Sequence, residues 1–304
     1  MKLLSIGLSD PVEEVRIRLQ RDFDDLSLEG FQMSIDEYIK GHITFFGCHV
    51  TEGELSFRNY ERIKAMLKNY IAKIVADVIV FRLEQDIVKK VINSNYYYFT
   101  EDERNVIFDN TFKILNIEGL PLGYGYPTGR RNRILVKVSD YLEQHHEIVI
   151  DGFINFRLKD YRQELLEAVD KAVDDFMMDR EYKEFIRLLR YFVDVQEPRI
   201  EKVHVVMQTN GGFRILDSCG KAINNQFLEG FVVENADIEL NYDDLLISAL
   251  ITIAPQSVTI HGPNVKQPCD VIETIYSIFD GRVLLCESCE ICQAEVKSST
   301  VKQK

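Results

Sequence analysis

The feature that most constrains this fold is the run "RNYERIKAMLKNYIAKIVADVIVFRLEQDIVKKVI", which starts at Arg58 and holds neither glycine nor proline. Within it Ile63, Leu67, Tyr70, Ile71, Ile74, Val78, Phe81, Ile87 and Val91 recur at three-and-four spacing. That period marks one face of an α-helix. The run predicts one long amphipathic helix, or two joined at a kink. An apolar stripe of that length must be covered by other elements, and the flanking sequence supplies them.

Upstream, "KLLSIGL" reads as a short strand. "DPVEEVRIRLQRDF" follows with Asp10 as N-cap and Pro11 at the first helical position, a helix start. "FQMSIDEYI" and "GHITFFGCHV" alternate as strands, predicted to form a hairpin through Lys40-Gly41. The opening is therefore a β-α-β-β unit. Downstream, Thr100 and Glu103 form a capping-box pattern at the head of "TEDERNVIFDNTFKIL". "NIEGLPLGYGYPTGRRNR", residues 116–133, is dense in glycine and proline and predicts a loop. A short helix, "ILVKVSDYLEQHH", and a strand, "EIVIDGFINFRL", come next. From Asp160 a second helical stretch runs to Val195, with a break expected near "MMDREY", where Asp179 can cap a new helix.

After Pro198 the character changes. "KVHVVMQ", "GFRILD" and "GFVVEN" read as strands, the first two joined through Asn210-Gly211-Gly212. "DDLLISALITIA", "SVTIH", "DVIETIYSIFDG" and "RVLLC" then alternate helix and strand, an order that pairs the last two strands in parallel. The expected fold class is α/β, or α+β overall: an N-terminal β-α-β-β unit, a long-helix middle and a C-terminal α/β domain with a mixed sheet. The expected divisions are 1–116 for the first unit with its long helices, 117–133 for the Gly/Pro/Arg loop, 134–198 for a helical region with one strand, 199–292 for the C-terminal domain, and a frayed tail over 293–304.

Charge narrows the function. The chain holds 36 basic and 49 acidic residues, a net charge of −13, and such a surface repels a phosphate backbone. The expected partners therefore include no nucleic acid. The opening apolar run stops at Asp10-Pro11 without a small-residue cleavage site, and the internal runs "IAKIVADVIVF" and "LLISALITIA" are far shorter than the roughly 20 residues that span a bilayer. A cytoplasmic protein without membrane insertion is expected, and its six cysteines are then read as reduced thiols.

Three of those cysteines, Cys286, Cys289 and Cys292, lie three apart in "CESCEIC". Zinc prefers four ligands, commonly four thiolates or three with an imidazole, so the set is one short. If "SVTIH" and "RVLLC" are neighbouring parallel strands, a right-handed crossover brings their carboxyl ends to one edge. His261 is then the best fourth ligand, with Cys269 next. The alternatives are a redox pair, weakened because no convincing helix follows the motif, and three thiols without a site. An iron–sulfur cluster needs a further cysteine.

The glycine loop is a second candidate. Gly125, Gly129, Arg130 and Arg131 precede a helix, where backbone N–H groups and guanidiniums can hold an anion. The pattern meets neither nucleotide-binding fingerprint, and a connecting loop with solvated arginines is the plainer reading. His145-His146 lies at a helix end, where a cation is simply favourable. Asp170 and Asp174 share one helix face, usually the solvated one. No catalytic residue is assigned, because no hydrolase, zinc-protease or kinase signature occurs.

"IDGFINFRLKDYRQEL", "EYKEFIRLLRYFVDVQEP", "KVHVV", "GGFRILD", "DDLLISALITIAP" and "GRVLLCESCEIC" together resemble the YtxC-like family of sporulation proteins of endospore-forming Firmicutes. The resemblance is strongest from Asp151 to Cys292. It implies a cytoplasmic protein linked to sporulation, and no reaction. The expectation is a non-enzymatic interaction or structural protein, acting on a protein partner or on its own copies, with no cofactor assigned beyond the candidate C-terminal structural metal site, for which zinc is the candidate ion. The rival is an enzyme or nucleotide-handling protein that uses the Gly-Arg loop or the C-terminal sheet edge.

Overall fold

A computed structural model of the chain describes residues 2–10, 12–28, 32–52, 57–116, 127–208, 212–223, 242–262, 270–286 and 289–292. Pro11, Gly125, the strand expected at "GFVVEN", Cys269 and the tail from residue 293 lie outside them. The chain divides into two compact units, Met1–Met177 and Met178–Lys304. Among the described residues, no helix is long and apolar enough to cross a membrane.

The first unit opens with β1 (Lys2–Leu8), α1 (Val12–Leu28), β2 (Gln32–Lys40) and β3 (Ile43–Glu52), the expected β-α-β-β order. The hairpin turns at Gly41, whose φ of +69° suits glycine. The long amphipathic run forms α2 (Phe57–Val78), a π-helical turn (Ile79–Leu83) and α3 (Glu84–Asn95). These join without interruption, so the run is one helix carrying a π-bulge. α4 (Glu101–Leu115) starts on the expected capping box of Thr100 and Glu103. α5 (Pro127–Gln144), β4 (Glu147–Val149), α6 (Ile150–Arg157) and α7 (Lys159–Val195) follow. The sheet order is β2-β3-β1-β4, with β1 antiparallel to β3 and parallel to β4. Leu4, Ile6 and Leu8 of β1, Phe46 and Cys48 of β3, Ile63, Leu67 and Ile71 of α2, and Ile134, Val138 and Leu142 of α5 meet in one core.

Three expectations are corrected here. The helix read as starting at Ile134 starts at Pro127, inside the stretch read as loop, because proline fits the first turn of a helix. The strand read over "EIVIDGFINFRL" lasts only from Glu147 to Val149. Beyond it Ile150, Phe153 and Ile154 are buried at helical spacing in α6. The break near "MMDREY" does not occur: α7 is continuous, and Asp179 pairs with Lys183 one turn on instead of capping a new helix.

The second unit holds the end of α7, β5 (Lys202–Met207), β6 (Phe213–Leu216), α8 (Tyr242–Ile253), β7 (Ser257–His261), α9 (Asp270–Ile278) and β8 (Val283–Leu285). The sheet order is β6-β5-β7-β8. β5 is antiparallel to β6 and parallel to β7, and β7 is parallel to β8, the expected mixed sheet. Val203, Val205, Val258, Ile260 and Val283 join Leu246 and Leu250 of α8 and Ile275 and Ile278 of α9 in the core. Because side chains alternate along a strand, the intervening His204, Thr259 and His261 lie on the opposite face.

Candidate metal centre

β7 and β8 run side by side with Ile260 opposite Leu285. The ladder continues one step further, where the Cys286 N–H donates to the Ile260 carbonyl at 2.9 Å. His261 and Cys286 therefore leave the carboxyl edge together. Residues 290–292 are helical, with Cys289 just before them and Cys292 among them. The result is a cluster of His261, Cys286, Cys289 and Cys292 whose ligand atoms all lie within 4.8 Å of one another, a group able to hold a metal ion.

The separations fit a small tetrahedral ion. Cys289 Sγ lies 3.3 Å and Cys292 Sγ 3.5 Å from His261 Nδ1, and the two sulfurs are 3.7 Å apart. Bond lengths of roughly 2.3 Å to sulfur and 2.0 Å to nitrogen place ligands of a tetrahedron about 3.8 Å apart for S–S pairs and about 3.5 Å for S–N pairs. Three soft thiol donors and one imidazole match the preference of Zn²⁺. His261 is buried while the cysteines are half-buried.

The local electrostatics agree with ligation. Burial lowers the His261 pKa, and the neighbouring His204 and Lys202 lower it further, so the ring is neutral and free to ligate. The Cys289 thiol is raised by burial, but N–H donation from Cys292 and Ile291 and the adjoining thiols outweighs this, and its net shift is downward. Cys289 thus occupies a cap position at a helical turn, where a thiolate is favoured. Burial and hydrogen bonds to the other two thiols push Cys286 up to about 11. Cys286 would hold a divalent cation as the thiolate, since coordination would favour loss of that proton.

One residue of this site was not anticipated. His204 Nδ1 lies 2.8 Å from His261 Nε2. The signal lies in the strand pairing: with "KVHVV" and "SVTIH" as adjacent parallel strands, His204 pairs with Thr259, two positions from His261 and so on the same face. The hydroxyl of Thr259, the residue opposite His204, is buried without a hydrogen-bond partner among the described residues.

The arginines of the Gly-Arg segment each meet a carboxylate. Arg130 is buried and forks onto Glu84, through Nε to Oε2 at 3.0 Å and Nη2 to Oε1 at 2.8 Å, with Nη1 donating to the Leu115 carbonyl. Arg131 bonds Asp77, and Arg133 forks onto Glu164 at 2.6 and 2.7 Å. Gly129 has open space where a Cβ would stand, so no close backbone approach requires glycine there. His145 stacks on Tyr141. Asp170 accepts the Tyr96 hydroxyl at 2.6 Å. A separate cleft of about 520 Å³ at the carboxyl ends of β1 and β4 includes Asp86, Lys89, Lys90, Asp151 and Arg162 in its lining. Its acids and bases interleave, and Asp151 is held by the N–H and hydroxyl of Ser9.

A family model described as the YtxC-like family matches residues 69–284. That span contains His204 and His261 and stops short of Cys286. The protein named "Uncharacterized protein YtxC" from Bacillus subtilis (strain 168) is 28% identical over 209 residues, covering 66% of this chain and 70% of the relative. No solved structure matches the chain.

Proposed function

This chain belongs to the YtxC-like family, and from that premise we propose that it is a cytoplasmic sporulation protein that acts through protein contacts, with its C-terminal unit closed by a structural Cys₃His zinc site. The sporulation context rests on the resemblance of the quoted motifs. The zinc reading is carried by one observation: the sulfurs of Cys289 and Cys292 and Nδ1 of His261 stand at tetrahedral separations, and the Cys286 thiol lies within 4.8 Å of the other ligand atoms. Four protein ligands leave no coordination position for water or substrate, the mark of a structural rather than a catalytic zinc. An ion held there fastens the chain end to the sheet edge.

The contact reading is supported by α7. Met178, Tyr182, Phe185, Leu188, Phe192 and Val195 are all exposed and fall on one stripe of the helix at three-and-four spacing. Exposed apolar stripes of this size mark interaction surfaces.

Elemental analysis of purified chain tests the metal, with one equivalent of zinc expected. A chain without zinc, whose Cys286→Ser variant melts like wild type, removes the metal from the reading. A pull-down from sporulating cells tests the contact. The expected result is a captured protein, or a second copy of the chain, that Phe185→Glu/Phe192→Glu loses. Retention of every captured species by that variant argues against the stripe.

A further inference from the structure

His204 is no member of the four-ligand set, yet its ring is tied to that set. In the parallel pair of β5 and β7, His204 stands opposite Thr259 and Val206 opposite His261. Strand register therefore holds the two imidazoles on one face, with ring centroids 5.0 Å apart. His261 turns Nδ1 toward the sulfurs of Cys289 and Cys292 and Nε2 toward His204 Nδ1 at 2.8 Å. A neutral imidazole carries one N–H, and ligation through Nδ1 leaves that proton on Nε2.

We propose that His204 is the positioning residue of the metal centre: its Nδ1 accepts the Nε2–H of His261 and so holds that ring in the tautomer and orientation that present Nδ1 to the ion. The proposal rests on the zinc reading above. His204 must then keep its own proton on Nε2. Ligating histidines almost always donate their second N–H, commonly to a carboxylate, a backbone carbonyl or water. A neutral imidazole in that place suits this centre. Three thiolates already exceed the two positive charges of the ion, and an accepting carboxylate would add a further negative charge beside them.

The test is chelator competition for zinc on the full chain, combined with ¹⁵N-edited imidazole spectra of the zinc-loaded protein. His204→Leu puts an apolar side chain in place of the imidazole and deletes the acceptor, and a loss of about 10–100-fold in zinc affinity is expected. His204→Asn keeps an acceptor oxygen at the place of Nδ1 and should bind within about threefold of wild type. The spectra should show the Nε2–H of His261 in wild type and His204→Asn, with the His204 proton on Nε2 in wild type. His204→Leu binding as tightly as wild type overturns the proposal. So does His204→Asn falling as far as His204→Leu. Should His204→Leu not fold, the wild-type spectrum decides, since a His204 proton on Nδ1 is incompatible with accepting from His261. Wild type that takes up no zinc overturns the zinc reading and this role together. Wild type that binds one equivalent beside an unaffected His204→Leu overturns only the role of His204.

Discussion

Glu84 and Arg130 are each buried, at 1% exposure, and neither is tenable alone. The guanidinium forks onto the carboxylate, and the Tyr161 hydroxyl donates to Glu84 Oε2 at 2.6 Å. Burial, followed by the adjacent Glu84, holds the Tyr161 pKa well above its usual range, so the hydroxyl keeps its proton and remains a donor. Removing one charge strands the other. Glu84→Gln should therefore cost about 3–5 kcal/mol in urea unfolding. Because a well-packed apolar pair replaces such an ion pair at little cost, Glu84→Met/Arg130→Met should be less damaged than either single variant. A double variant that loses the sum of the singles would refute this account. Thr259 presents the opposite case, a buried hydroxyl with no partner among the described residues. Thr259→Val removes an unpaid desolvation and should stabilise the chain by about 1 kcal/mol. A loss of similar size in the same measurement would mean that the hydroxyl is satisfied in solution.

Among the elements, β1 shows how a strand sets its neighbours. Gly7 lies opposite Phe45 of β3 and Val149 of β4, and the Phe45 ring covers it. A Cβ on Gly7 would meet Phe45 Cε1 at 2.6 Å. Phe45 in turn stacks on Tyr38 of β2, with ring centroids 5.3 Å apart. Gly7→Ala must push the ring off both contacts, and a cost of about 1–3 kcal/mol is expected in thermal unfolding. A variant as stable as wild type would show that the ring yields freely. Strand and helix identities were largely legible in the sequence because they rest on local periodicity, as with the hairpin of β2 and β3 and the capping box of α4. Failures came where local signals compete. Glycine and proline density hid the start of α5, although Pro127 is itself a helix-start residue. At Ile150 the apolar spacing passes from two to three-and-four, and only the wider window reveals α6. Asp179 has the chemistry of a cap, but no glycine or proline interrupts the helix there. The His261–Cys286 juxtaposition was legible because α-β-α-β order forces parallel strands with a shared carboxyl edge. His204 was not, since it depends on β5 lying next to β7, and nothing local in "KVHVV" names its neighbour. The partners of Arg130 and Arg131 were hidden for the same reason: Glu84 and Asp77 lie far from them in sequence.

At the level of the whole molecule, the two units keep separate cores. The first cluster ends at Val173 and the second begins at Ile186, although α7 spans both ranges in sequence. A ligand that binds only the folded form stabilises the structure that holds it, by about 4 kcal/mol at a free concentration a thousandfold above Kd. A zinc ion at the His261 edge should therefore protect the second sheet and leave the first untouched. Amide hydrogen exchange on the intact chain can read both at once. Adding a strong chelator to zinc-loaded protein should speed exchange in β7 and β8, whose register carries His261 and Cys286 to the ion, while β1 and β3 exchange as before. Unchanged exchange in β7 and β8 would mean that the centre does not brace the sheet. An equal rise in β1 would mean that the units open together despite their separate cores, because sub-global opening confined to one unit leaves the protection of the other intact.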